Sequence, residues 1–242
     1  MNEHKKVRIG EAATILGVSI QTLRNWEKSG KLHAERSHGG QRSYDMDALK
    51  RFALELPVWG LAWAKSEVPP HLPPEYYCER PDRFTSRDAR MGIELQNTHG
   101  FPQDLASLLT LIAGEIGDNS FAHNVGSWPN IPGVFFGYDI PKRVIVLADR
   151  GRGVRTTLQQ IRPELSDDME ALRVAFTEVL SGRSPEKRGN GLKVVRSIAE
   201  SSSIGLLFRS GIGKAIIPKH LGKIRIEITD ENIPGTYAVI TY

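Results

Sequence analysis

Glu115, Asn119 and His123 recur at intervals of four residues within EIGDNSFAHN. A carboxylate, an amide and an imidazole at that spacing can activate water, hold a cation or bind a polar ligand, provided the chain brings them together. At ~100° per residue they fall along or beside the apolar face traced by Leu105, Leu108, Leu109, Ile112 and Ile116. An unpaired polar group in such a position costs about 1–3 kcal/mol. A bound ligand or metal would pair them, and so would an internal hydrogen-bond network. Asp149 is the second candidate, at the end of the apolar run Val144-Ile145-Val146-Leu147-Ala148 and followed by Arg150-Gly151-Arg152-Gly153. An acid at a strand end, followed by alternating glycines, lets a planar base approach the backbone while the carboxylate accepts its amino hydrogen. The third is Gly189-Asn190-Gly191-Leu192, opening a helix patterned by Leu192, Val195, Ile198 and Ala199. Glycines at a helix start expose backbone N–H groups to an anion such as phosphate. Arg183, Lys187 and Arg188 stand beside it, as phosphate contacts or as a solvated basic turn.

The elements that must position these residues are legible in outline. The spacing predicts a helix through residues 105–116, a buried strand at 144–148, an amphipathic helix near Asp167 to Leu180, a helix from Gly191, and a final apolar strand. Alternating helix and strand from Phe101 onward imply an α/β sandwich. Before it, Pro57, Pro69, Pro70, Pro73, Pro74 and Pro81 crowd a stretch that also holds Trp59, Trp63, Tyr76 and Tyr77. Proline at that density opposes long helices and central strands. The expectation for 57–98 is therefore an extended connector whose aromatics pack onto a flanking domain.

The three motifs, in this order, resemble the GHKL ATPases: gyrase-type topoisomerases, MutL repair proteins, the heat-shock chaperone ATPase, histidine kinases and anti-sigma kinases. EIGDNSFAHN is similar to their first motif, DRGRG to the second and GNGL to the third. Gly235-Thr236 resembles the start of the closing strand. The resemblance spans roughly residues 100–242 and implies ATP and Mg²⁺ as cofactors. Carried over by position, Glu115 is the catalytic group that activates water or a hydroxyl, and Asn119 holds Mg²⁺ against the phosphates. Asp149 reads the adenine amino group, and Thr236 supports the adenine site. His123, Gly151, Gly153, Arg188, Gly189, Gly191 and Leu192 complete the implied ATP site, with 154–188 as its lid.

The N-terminal segment carries a different chemistry. Ile9, Ala12, Ala13 and Leu16 mark one apolar helix face, Gly17-Val18 breaks it, and Ser19 is a good N-cap for a second helix. In that second helix Ile20, Leu23 and Trp26 can face inward, leaving Gln21, Arg24, Asn25 and Lys28 as a polar stripe. Two short helices across a tight turn, the second exposing amide and guanidinium groups, suit a DNA major groove. His38-Gly39-Gly40-Gln41-Arg42 and Tyr44 form a glycine-tipped basic hairpin that can lie along phosphates. The run from Val7 to Phe52 resembles the winged helix-turn-helix of the MerR family, at GVS, TLRNWE and GGQRSY in particular. That resemblance implies double-stranded DNA as partner. It sets Ser19, Gln21, Thr22, Arg24 and Asn25 near bases or phosphates, with Arg42 and Tyr44 on the backbone. A protein-binding domain that has lost DNA contact is the alternative. MerR regulators usually continue into a long dimerisation helix, which the prolines oppose here, so the two-fold symmetry of a homodimer would have to come from elsewhere.

Composition is compatible with this division. The chain is 40% apolar and 25% charged, the balance of a globular protein rather than a disordered one. Residues 1–56 carry ten Lys and Arg against seven Asp and Glu, and the rest 22 against 21, so the basic excess gathers at the N-terminus. The longest apolar stretch, Phe52 to Ala64, holds Glu55 and Pro57 and is too short to span a bilayer. A lone Cys78 and no recognisable leader lead to the expectation of a reducing cytoplasm, with no membrane partner.

The expected fold is thus α+β: a small all-α winged helix-turn-helix domain (1–56), a connector (57–98), and an α/β two-layer sandwich of the GHKL (Bergerat) type (99–242). Three functions compete. In the first, Mg-ATP binding, with or without slow hydrolysis, switches DNA binding or oligomeric state in a transcription regulator. In the second, an anti-sigma-type Ser/Thr kinase acts on a protein partner. In the third, a MutL- or gyrase-like ATPase works on DNA; the chain's end at the closing strand, with no transducer domain after it, argues against that one. A histidine kinase is disfavoured because no helix-borne phosphoacceptor histidine precedes the motifs. The first reading is favoured.

Overall fold

The computed structural model describes residues 5–16, 20–28, 32–36, 40–46, 48–49, 56–69, 72–178, 190–220 and 222–242. The chain divides into two compact units, Met1–Val58 and Trp59–Tyr242.

In the first unit, α1 (Ile9–Leu16) and α2 (Ile20–Lys28) form where the apolar spacing places them. They are joined by three short strands, β1 (Lys6–Arg8), β2 (Glu35–Arg36) and β3 (Arg42–Asp45), in an antiparallel sheet of order β1-β3-β2. The expectation of an all-α module is corrected accordingly. Alternation along β3 turns Tyr44 inward opposite Val7, and both join Ala12, Leu23 and Leu49 in a small core. Glu35 and Arg36 pair with Ser43 and Arg42, so the basic hairpin is a strand pair.

The second unit is built on a five-stranded sheet of order β4-β5-β6-β8-β7, antiparallel at every pairing. Its strands are β4 (Tyr77–Cys78), β5 (Val134–Asp139), β6 (Val144–Asp149), β7 (Gly205–Ile217) and β8 (Arg225–Thr241). The architecture is therefore α+β, with hairpins joining β5 to β6 and β7 to β8 and a crossover placing β8 beside β6. β6 is buried along its whole length because it lies inside the sheet between β5 and β8.

Two helices occupy the stretch expected to be extended. α3 (Leu56–Lys65) and the 16-residue α4 (Pro81–Gln96) both form. The prolines do not prevent this, since Pro81 sits in the first turn of α4, where its missing N–H has no intrahelical partner to lose. Pro57 likewise follows the first residue of α3. α4 sends Phe84, Met91 and Leu95 into the core beside α5 (Gln103–Ala122). Three shorter helices follow among the described residues: α6 (Gly153–Leu158), α7 (Asp168–Thr177) and α8 (Gly191–Ser201). Asp167 caps α7 by accepting the Glu170 N–H at 2.7 Å.

Strand alternation sorts the core into two faces. Phe136, Ile145, Leu147, Ala238 and Ile240 pack with residues of α4, α5 and α8. Phe135 points the other way, where the buried Trp63 of α3 meets it at 6.5 Å between ring centroids. Helix α3 thus covers part of the face that a two-layer sandwich would leave open.

Candidate functional site

The end of β6 delivers Asp149 to a position 1% exposed, where segments distant in sequence meet its carboxylate. The Ser120 hydroxyl on α5 donates to Oδ2 at 2.8 Å, and the Thr236 hydroxyl on β8 donates to the same oxygen. The Gly151 N–H donates to Oδ1 at 2.8 Å. Sheet register makes the Thr236 contact, because Asp149 and Thr236 are paired across β6 and β8. Burial pushes the Asp149 carboxyl up, while the bonds from Thr236, Ser120 and Gly151 pull it back. The Thr236 backbone N–H joins these donors, so the carboxylate is held by four hydrogen bonds.

The first and third motifs also meet. A methyl group built on Gly191, the first residue of α8, would lie 2.5 Å from Glu115 Oε2 and 2.9 Å from Asn119 Nδ2. A side chain there would displace the Glu115 and Asn119 head groups from the helix start. Asn190 makes no side-chain cap bond to the N–H groups of that first turn. At Gly153, φ is +76°, and a side chain would press on Pro234 O at 2.8 Å; left-handed geometry and crowding both select glycine. A cleft of about 260 Å³ opens here, lined by Arg152, Gly153, Arg155, Ser210 and Pro234 among others.

His123 caps the C-terminus of α5 and is exposed, with its N–H bonded back to Asn119 O. Surrounding protein holds its imidazole below the ordinary range, and the Asp149 carboxylate opposes that shift. Leu192 is half-buried and packs against the core at the start of α8. Arg188 and Gly189 lie outside the described residues, as do Arg183 and Lys187.

Three site residues escaped the sequence reading. Besides Ser120, the buried Asn124 donates to Ser120 O at 2.7 Å and accepts the Arg152 N–H at 2.9 Å, tying α5 to the second motif. The four-residue spacing of Ser120 and Asn124, across the end of α5, was the available signal. Ser210 accepts the Val154 N–H at 2.9 Å and donates to Gly235 O at 2.8 Å. It has no local signal, because irregular pairing between β7 and β8 around Gly211 places it.

On the first unit, Gln21, Arg24 and Lys28 are exposed along α2. Of Thr22 and Asn25 the structure describes only the helical backbone, and Ser19 lies outside the described residues. Glu27 receives Arg36 at 2.9 Å and pairs with Arg42, which holds its carboxyl below the usual range. Arg42 is thereby anchored on α2. Tyr44 corrects the expectation of a backbone contact: it is 1% exposed, because β3 alternation directs it into the core.

Residues 8–44 match the family described as MerR family regulatory protein. Over 48 residues the chain is 44% identical to the nodulation protein NolA of Bradyrhizobium elkanii, a span of 19% of this chain and 22% of that one. The same protein of Bradyrhizobium sp. (strain NC92) is also 44% identical over 48 residues, or 20% of its length. The chain thus spans about a fifth of the length of the curated relatives it matches. The N-terminal segment is a MerR-type DNA-binding domain. Among the described residues no helix is long and apolar enough to cross a membrane.

Proposed function

We propose that the protein is a DNA-binding transcription regulator whose second unit binds Mg-ATP, and that nucleotide binding changes its hold on double-stranded DNA or its oligomeric state. The observation that carries the nucleotide half is the Asp149 carboxylate, buried at the end of β6 and oriented by Ser120, Thr236 and Gly151. That arrangement fits recognition of an exocyclic amino group, and the GHKL-like order of motifs supports adenine as its bearer. Asn119 would hold the metal, and the first turn of α8 would face phosphate. Glu115, beside Gly191, would take the proton of an attacking water or hydroxyl. Bound Mg-ATP would supply a phosphoanhydride for cleavage or transfer.

The MerR-type match supports duplex DNA as partner, with Gln21 and Arg24 on the exposed side of α2 as readers and Arg42 positioned by Glu27. Duplex binding, measured with and without Mg-ATP for the parent, Asp149→Asn and Asn119→Ala, tests the whole reading. ATP is expected to shift the parent's DNA affinity or mass, and both variants are expected to lose Mg-ATP binding and that response. Equal ATP affinity in all three would overturn the nucleotide site. Arg24→Ala is expected to weaken binding to a preferred duplex by about 1–3 kcal/mol if it reads a base edge. An equal loss on every sequence would reassign it to phosphate.

A further inference from the structure

A second buried carboxylate lies away from Asp149. Asp88, on α4, is 8% exposed, and its Oδ1 is buried with no hydrogen-bond partner. It forms part of a groove of about 520 Å³ between α4 and α5. Gly114 brings the helices close enough for a side chain there to meet Asp88 Oδ2 at 3.2 Å. Glu115 and Asp118 add two more carboxylates from α5, and none of the described residues lining the groove is Lys, Arg or His. Ile93 and Leu111 line it too and are 58% and 45% exposed, so acid sits beside apolar surface.

A buried anion without a partner is among the costlier features a fold can carry, and a cation relieves it. Among the described residues no three His, Cys, Asp or Glu side chains converge as a metal site would require, which argues against an inorganic ion. The apolar surface beside the acids suits an aliphatic stem, and the volume lies within the range of small-ligand sites.

We propose that the α4–α5 groove binds an organic cation, a primary ammonium or guanidinium on an aliphatic stem, with its charged head on Asp88 and its stem between Ile93 and Leu111. Asp118 strengthens the field at the groove. This site is independent of the nucleotide reading, although Glu115 borders both.

Calorimetric titration of the full chain with 1,6-diaminohexane at pH 8 tests it, with 1,6-hexanediol as the uncharged control and a lysine-bearing tripeptide as the second source of the same chemistry. Saturable binding of the diamine, the peptide or both, without binding of the diol, is the expected result. The identity of the stronger ligand tells a free amine from a protein lysine. Asp88→Asn is expected to weaken binding at least about tenfold, as loss of a charge-assisted hydrogen bond does. Asp118→Asn, a change at an exposed position, is expected to weaken it about two- to threefold through the lost field. No binding of either ammonium, binding of the diol as tightly as the diamine, or undiminished binding by Asp88→Asn would overturn the proposal. Loss of ATP binding with diamine binding retained would overturn only the nucleotide site.

Discussion

Asp149 and Asp88 are both nearly inaccessible carboxylates on the same unit, yet the fold treats them in opposite ways. Asp149, at a strand end, receives donors from α5, β8 and the turn after β6. Asp88, in mid-helix, keeps a buried oxygen with no donor. The difference follows from geometry. A strand end opens onto loops and neighbouring strands whose N–H and hydroxyl groups can converge, whereas a helix has already committed its backbone donors to its own carbonyls. The first acid is neutralised by the fold's own donors, and the second keeps an oxygen that the fold leaves unmatched.

The sharpest way to break this comparison is Asp149→Ala. It strands the Thr236 hydroxyl and the Gly151 N–H, while Ser120 keeps its bond to Ile116 O, and at about 1–3 kcal/mol each unfolding should become easier by about 2–6 kcal/mol. Urea denaturation checks this, and a loss below about 1 kcal/mol would mean that water takes over the network.

Asp88→Asn should act in the opposite direction. Burial, and then the charge of Asp118, push Asp88 up to about 7 from 3.8. Between those values the folded chain binds more protons than the unfolded one, so stability falls as pH rises through the window and the penalty is complete above it. Asparagine removes that slope. The variant should match the parent near pH 4 and exceed it at pH 8 by up to about 4 kcal/mol in urea denaturation. Equal stabilities at both pH values would show that Asp88 is already compensated.

Ser120→Ala removes one of four donors and should cost about 1 kcal/mol, with a rise in the Asp149 pKa because that bond holds it down. Carboxyl NMR reads the shift; a fall instead would show that Ser120 does not stabilise the ionised form. The smallest effect is expected from Asp118→Asn, which should lower the Asp88 midpoint by a few tenths of a unit and leave stability nearly unchanged. No movement of that midpoint would leave burial as the whole cause.

Legibility in the sequence followed the range of the forces involved. The α5 face, the buried strand ending at Asp149 and the helix opening at Gly191 were all readable, because periodicity and glycine placement are local signals. The stretch 57–98 misled for a local reason too: proline density suggested extension, but Pro57 and Pro81 fall in first turns, where they favour helix. Tyr44 was assigned by motif position, and only the pairing of β1 with β3 showed which face it takes.

What the sequence by itself determined is the chemistry available: a basic N-terminal segment with a MerR-type pattern, an acid at a strand end, and glycines where other residues would collide. Tertiary structure alone decided which groups share a site. Asp149 meets Thr236 across 87 residues of chain through sheet register, and Ser120 across 29 through the packing of α5 on the sheet. It also decided that Asp88 would be buried beside Asp118 with an oxygen unmatched. Hydrogen-bond partners are chosen by distances of about 3 Å, and such distances between remote segments exist only once the hydrophobic core has set the elements against one another.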